Sequence, residues 1–91
     1  MTVRHDAERQ RYEIFDGDAV VGHADYRAEG DLLVFFHTEV EPARQGGGIG
    51  TELVAGALDD VRSRGLRVRP LCWFVRDYIS AHPEVQDLLA A

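Results

Sequence analysis

Residues Arg44 to Thr51 read RQGGGIGT, with four glycines in eight positions. Before them stands LLVFFHTEV, Leu32 to Val40, the most apolar strand-like run in the chain. After them Ile49, Leu53, Val54, Ala57, Leu58 and Val61 recur at the spacing of one helix face. Gly65 follows an arginine-rich last turn and marks the helix C-terminus. LRVRPLC, Leu66 to Cys72, then reads as a further strand. Strand, helix and strand in succession make a crossover, so Leu66–Cys72 is expected to run parallel to Leu32–Val40.

Upstream, Arg11–Phe15 and Ala19–Arg27 read as strands joined by the turn Asp16-Gly17-Asp18. Glu29-Gly30-Asp31 is a second turn, and Val3–Asp6 adds an edge strand. Turns this short imply an antiparallel meander. Downstream, Trp73–Ser80 and Pro83–Leu89 read as two short helices split at His82-Pro83, with Pro83 suited to a first helical position. The expected fold is α/β of the α+β type. It has a mixed sheet, an antiparallel meander followed by a β-α-β crossover and short C-terminal helices, in one domain over residues 1–91.

The bulk properties narrow the function. The chain has 91 residues, 45% hydrophobic and 29% charged, ordinary values for a globular domain. No apolar run approaches the roughly 20 residues of a membrane span. The opening MTVRHDAERQR lacks the apolar core of a signal peptide, so a cytoplasmic protein with no membrane partner is expected. A net charge of −6 argues against nucleic acid as a partner. One cysteine, Cys72, allows no internal disulfide, and without a Cys/His cluster no metal is expected. All ten basic residues are arginine, which excludes chemistry on a side-chain lysine.

A glycine loop that opens a helix suits an anion. The first helix amides lack internal partners, the dipole adds positive charge, and glycine lets N–H groups approach closely. The alternative is a tight turn that needs glycine for its dihedrals alone. The P-loop pattern requires a lysine that this chain lacks. The GxGxxG pattern fails too, because its last position falls on Thr51 or Leu53. Gln/Arg-x-x-Gly-x-Gly/Ala does fit, as Gln45-Gly46-Gly47-Gly48-Ile49-Gly50.

With this loop in order after His37-Thr38-Glu39-Val40 and before Leu66–Cys72, Tyr78 and His82-Pro83, the chain resembles the GNAT acetyltransferase superfamily. More narrowly it resembles that superfamily's short branch, from about Tyr12 to Leu89. The resemblance implies that acetyl-CoA is the co-substrate. Gly46, Gly47, Gly48, Ile49, Gly50 and Thr51, with Gln45, would hold its pyrophosphate. It also implies that the two parallel strands splay apart and that the backbone of Thr38 and Val40 pairs with the pantetheine arm. The amide of Val40 would be the oxyanion donor.

Acetyl transfer to an amine also needs a deprotonated acceptor and a proton for the leaving thiolate. Strand alternation puts His37 on the face of Leu33 and Phe35, and puts Cys72 on the face of Leu66 and Val68. Parallel neighbours bring both to one sheet edge, where ligands of α/β folds bind. The resemblance makes them the active-site pair and makes Tyr78 a proton donor to the thiolate. Two schemes stay open. Cys72 accepts the acetyl group first with His37 as base, or the amine attacks the thioester directly and Cys72 shapes the pocket. Direct attack is favoured, and Cys72→Ala is expected to lower turnover at least tenfold. Packing roles for Cys72, His37 and Tyr78 are the competing reading. Arg62 and Arg64 read as favourable charge at the helix C-terminus, and their cluster with Arg67 and Arg69 lies at the far end of the helix from the glycine loop, so it is not read as a site.

The family's usual helices between the first two strands and its final strand pair have no counterpart here. The acceptor side is therefore expected to be shallow and open, or completed by another subunit. The partner would be an amine, on a peptide, protein or small molecule, with the chain a monomer or weak homodimer. The alternatives are a non-catalytic CoA or acyl-CoA-binding module and an interaction domain whose loop binds nothing.

Overall fold

The computed structural model describes residues 1–90. Strands β1 (Thr2–Asp6), β2 (Arg11–Asp16), β3 (Ala19–Glu29) and β4 (Leu32–Val40) precede helix α1 (Ile49–Ser63). Strand β5 (Arg67–Pro70), helix α2 (Trp73–Ala81) and a 3₁₀ segment (Pro83–Leu88) follow. The sheet order is β1-β2-β3-β4-β5, antiparallel from β1 to β4 and parallel between β4 and β5. The meander and the crossover are those the turn signals and the helical period predict. The last element differs: Pro83–Leu88 is 3₁₀ rather than α-helical. Six residues leave little room to nucleate an α-helix.

Helix α1 buries Leu53, Val54, Ala57, Leu58 and Val61 against the inner sheet face, which supplies Tyr12, Ile14, Ala24, Tyr26, Leu33, Phe35 and Val68. Val75 and Ile79 of α2 join the same cluster. The far end of α1 closes with a Schellman motif: the Gly65 amide donates to Arg62 O (3.0 Å) and the Leu66 amide to Val61 O (3.1 Å).

A polar network pins that end to the sheet. The buried Tyr12 hydroxyl donates to Asp60 Oδ2 at 2.6 Å, and Arg64 Nε donates to the same oxygen at 2.7 Å. His5 stacks on Tyr12 with ring centroids 4.5 Å apart and hydrogen-bonds the Tyr26 hydroxyl at 2.6 Å. Arg62 forks onto Asp87 at 2.9 and 2.8 Å and donates to Glu84 O, tying α1 to the C-terminal segment. This accounts for Arg62 and Arg64 of the basic cluster without a ligand.

Two irregularities shape the ligand side. The β3–β4 register shifts between Asp25 and Tyr26: Asp25 pairs His37 and Tyr26 pairs Phe35, so Phe36 is an extra residue in β4. The β4–β5 ladder ends at Phe35–Pro70, beyond which the amides of Leu71 and Cys72 both turn back to Phe35 O (2.8 and 3.0 Å). Strand β5 therefore stops at Pro70 and not at Cys72. From residue 36 onward β4 has no neighbour on its β5 side.

Candidate functional site

The groove beside this free edge encloses about 430 Å³. One wall is Thr38 and Val40 of β4, the opposite wall is Trp73 and Phe74 of α2, and the loop from Arg44 to Thr51 closes the end. The Glu41 amide donates to Val21 O at 2.9 Å. An antiparallel ladder alternates with period two, so the backbone groups of Val40 and Thr38 point away from β3 and into the gap.

The loop is built to leave its amides free. A 3₁₀ turn at Pro42–Arg44 redirects the chain, and Arg44 is tied to Asp16, whose carboxyl its guanidinium holds below the usual range. Gln45 Nε2 donates to Val40 O at 3.0 Å, clasping the loop to the end of β4. Gly48 caps α1 with φ of 82°, a left-handed conformation that side chains resist. Among the described residues, none of the amides of Gly46, Gly47, Gly48, Ile49, Gly50 and Thr51 has a protein acceptor; the first helical bond is Glu52 N to Gly48 O. These unpartnered donors lie at the positive end of a fifteen-residue helix, and Gly46, Gly48, Ile49, Gly50 and Thr51 line the groove.

Gly50 is needed for another reason as well. A Cβ there would meet Phe74 Cζ at 2.8 Å, so the bare backbone is what lets Phe74 form the groove wall.

The catalytic candidates do not come together. Cys72 caps α2 on the inner face, is 9% exposed, and its Sγ donates to Thr38 Oγ1 at 3.4 Å. It stands behind Thr38 rather than lining the groove. His37 does not share the face of Leu33 and Phe35, because the bulge at Phe36 reverses the alternation. It lies on the outer face, pairs with Asp25 across the strands and bonds Glu39 at 3.3 Å through Nε2. Tyr78 is absent from the groove. It stacks on His82 (centroids 3.9 Å apart, planes 13° apart) and lines a separate hollow with Leu58, Asp59 and Val85. Burial, with Glu84 nearby, pushes its phenol pKa up.

Residues 11–88 match the family described as GCN5-related N-acetyl-transferase. The chain belongs to that family. Among solved structures of the same fold, a GCN5-like putative N-acetyltransferase from Staphylococcus aureus superimposes with a TM-score of 0.69 at 18% identity, over 99% of this chain and 88% of that one. The ribosomal-protein-S18-alanine N-acetyltransferase from Escherichia coli does so with a TM-score of 0.61 at 20% identity, over 66% of this chain. The match spans 39% of that enzyme's length. At these identities the likeness is one of fold. No curated protein sequence matches the chain.

Within the family frame, sequence reasoning missed three residues. Phe74 and Trp73, placed in the sequence only as the start of a helix, form a groove wall. Glu39 was only part of a motif, yet it faces both His37 (3.3 Å) and His23 (3.7 Å). Its position two residues from His37 and opposite His23 is the signal that could have found it. No helix among the described residues is long and apolar enough to cross a membrane.

Proposed function

We propose that this family member is an acetyl-CoA-dependent N-acetyltransferase acting on a primary amine. The observation that carries the reading is the row of unpartnered amides from Gly46 to Thr51 beside an unpaired β4 edge. The fit to acetyl-CoA is chemical: six N–H donors suit a pyrophosphate, and a strand edge with free amide and carbonyl groups suits the amides of pantetheine. When bound, acetyl-CoA supplies an activated acetyl thioester.

The chain's own residues have separable tasks. Gly46 to Thr51 bind the anion. Gln45 fixes the loop through Val40 O, which leaves the Val40 amide as donor toward developing negative charge in the gap. Thr38 is held in place by the Cys72 thiol behind it. His37, whose Nε2–H is directed at Glu39, keeps Nδ1 free to take a proton on the outer side of the gap. With Cys72 buried and turned to Thr38, direct attack is the favoured scheme. Cys72→Ala should lower turnover by loosening Thr38, and whole-protein mass spectrometry after acetyl-CoA alone should find no acetyl adduct on Cys72. An adduct there would establish a covalent relay instead.

Trp73 is the single tryptophan, 64% exposed and in the groove wall. Titration with coenzyme A should change its emission saturably. At a hundred times its dissociation constant the ligand should add about 2.7 kcal/mol of stability. A flat titration with no thermal shift would sink the proposal. The separation of His37, Cys72 and Tyr78 favours a second reading, a non-catalytic CoA or acyl-CoA-binding module. Binding without thiol release across a panel of amines would select it.

A further inference from the structure

On the face of the sheet turned away from α1, charge alternates in sign in two directions. The strand registers place Arg4, Glu13, His23 and Glu39 in one row across β1 to β4, and Asp6, Arg11, Asp25 and His37 in the next. With each imidazole counted as a cation, every neighbour along a row and along a strand has the opposite sign. Within one copy the close contacts run mainly along the strands. Arg11 Nη2 lies 3.2 Å from Glu13 Oε2, His23 Nδ1 3.0 Å from Asp25 Oδ1 and His37 Nε2 3.3 Å from Glu39 Oε1. His23 Nε2 also lies 3.7 Å from Glu39 Oε2. The two ends of the first row are left over. Among the described residues Arg4 forms no ion pair and instead covers Phe15, its Cζ 5.0 Å from the ring centroid, while the Glu39 side chain is 63% exposed. A third row on this face is apolar: Phe15 of β2 stands beside Val20 of β3, which is 43% exposed.

Such a lattice is its own complement. A two-fold axis running along the strands, between β2 and β3, exchanges β1 with β4 and β2 with β3. It sets Arg4 against the partner's Glu39, Glu13 against the partner's His23, Arg11 against the partner's Asp25 and Asp6 against the partner's His37. All four contacts join opposite signs, none repeats a contact already made within a copy, and symmetry makes each of them twice. The same operation sets Phe15 against the partner's exposed Val20. An axis across the strands would instead offer Glu13 an arginine, and His37 a glutamate, that each already holds in its own copy.

We propose that this face docks a second copy of the chain in the first of these arrangements. Sheets that pack face to face keep their strands nearly aligned, as this axis does. Three inter-strand spacings make the four-strand face only about 14 Å across, so the dimer is weak and reversible. The inference stands apart from the acyl-transfer reading. Thr38 and Val40 line the groove and alternate with His37 and Glu39, so the groove opens away from the partner. Charge makes the dimer depend on pH. With both imidazoles neutral, the two rows hold four carboxylates against two guanidiniums, and two such faces repel. Protonated imidazoles complete the alternation. His23 meets Asp25, Glu39 and Glu13, and in the dimer the partner's Glu13. His37 meets Glu39 and Asp25, and in the dimer the partner's Asp6; it has no strand on its β5 side. The two rings, 6.0 Å apart, are the one pair of like sign that protonation brings close, against these carboxylates on every side.

Sedimentation velocity on the full chain over a concentration series tests this. The wild type should pass from monomer to dimer as concentration rises, and more readily at about pH 6 than at about pH 8, because imidazole gains its charge in that range. Arg4→Glu and Glu39→Arg should each raise the dimer dissociation constant at least tenfold, since either one sets like charges against each other twice. Mixed in equal amounts, the two variants should associate again, because position 4 of the first then meets position 39 of the second with opposite charge in both contacts. Val20→Asp, a change at an exposed position, should also weaken the dimer at least tenfold by setting a carboxylate against the partner's Phe15. If Glu39→Arg does not fold, Val20→Asp and Arg4→Glu decide. A wild type that stays monomeric would leave the face to solvent or to another protein and overturn the proposal. Wild-type association in any single variant, a mixture of folded variants that fails to associate, or no gain at the lower pH would overturn it as well.

Discussion

Gly50→Val should abolish the coenzyme A-dependent change in Trp73 emission and lower the melting temperature measurably. The new Cβ would stand 2.8 Å from Phe74 Cζ and 3.2 Å from Cε2. The ring cannot retreat freely, since Phe74 packs against the buried core and meets Trp73 edge-on with centroids 5.6 Å apart. Overpacking of this kind costs about 1–3 kcal/mol. Only about half a kcal/mol is offset by helix propensity, because valine is β-branched and recovers only part of glycine's deficit relative to alanine. The larger effect is on binding, because moving Phe74 and Trp73 shifts one entire wall of the groove. Gly47→Ala is the matched control. Its Cβ would stand 3.7 Å from Arg44 O, an ordinary contact, so near-native stability is expected. Calorimetry and fluorescence titration of both variants decide the matter. Wild-type coenzyme A affinity in Gly50→Val would move the ligand out of this groove.

The topology was legible in the sequence because period-two runs between short turns, followed by one period-3.6 run, admit few arrangements. Even the edge strand at Val3–Asp6 was visible, and it forms as Thr2–Asp6. The loop's place at the mouth of α1 was legible too, although left-handed dihedrals at Gly46 and Gly48 (φ 88° and 82°) and the contact of Gly50 with Phe74 each require glycine for a structural reason. The misplacement of His37 has a single cause. A bulge leaves no reliable mark in composition, yet one extra residue at Phe36 exchanges the faces of everything after it. The true partner of Cys72 is therefore Thr38, one residue along. Tyr78 stands away from the groove for a different reason. Its spacing of four from His82 is the spacing of stacked neighbours at a helix end, a local contact that competes with any role in the groove. Gly50 shows a third limit: a close approach between α1 and a side chain of α2 is a tertiary fact that no local pattern encodes.

Tyr12→Phe should cost as much stability as any single-atom deletion in the molecule. The Tyr12 side chain is fully buried, and its hydroxyl donates to Asp60 at 2.6 Å. Burial, reinforced by the hydrogen bond to Asp60, drives the phenol pKa far up, so the donor proton stays in place at all ordinary pH. Burial alone would raise the Asp60 pKa, but hydrogen bonds from Tyr12 and Arg64 outweigh it and hold the carboxyl below its usual range. A hydrogen bond to a charged group is worth about 1.5–3 kcal/mol, and in a domain of this size each kcal/mol shifts the melting temperature by roughly 4–8 °C. The same network predicts how stability follows pH. Burial, and then the charge of Arg64, lower the His5 pKa below 6.5 in the folded state against the pull of Asp60 and Asp6. The unfolded chain therefore binds the proton first, so the stability His5 contributes is present above pH 6.5 and is lost as pH falls through its folded value. Asp60 adds a second loss at still lower pH, as the depressed carboxyl titrates. Melting temperatures measured between neutral and mildly acidic pH should fall for the wild type, and fall less for His5→Gln, which has no ring to protonate. A Tyr12→Phe variant as stable as the wild type, or an unchanged pH slope in His5→Gln, would mean that α1 is held to the sheet by apolar packing alone.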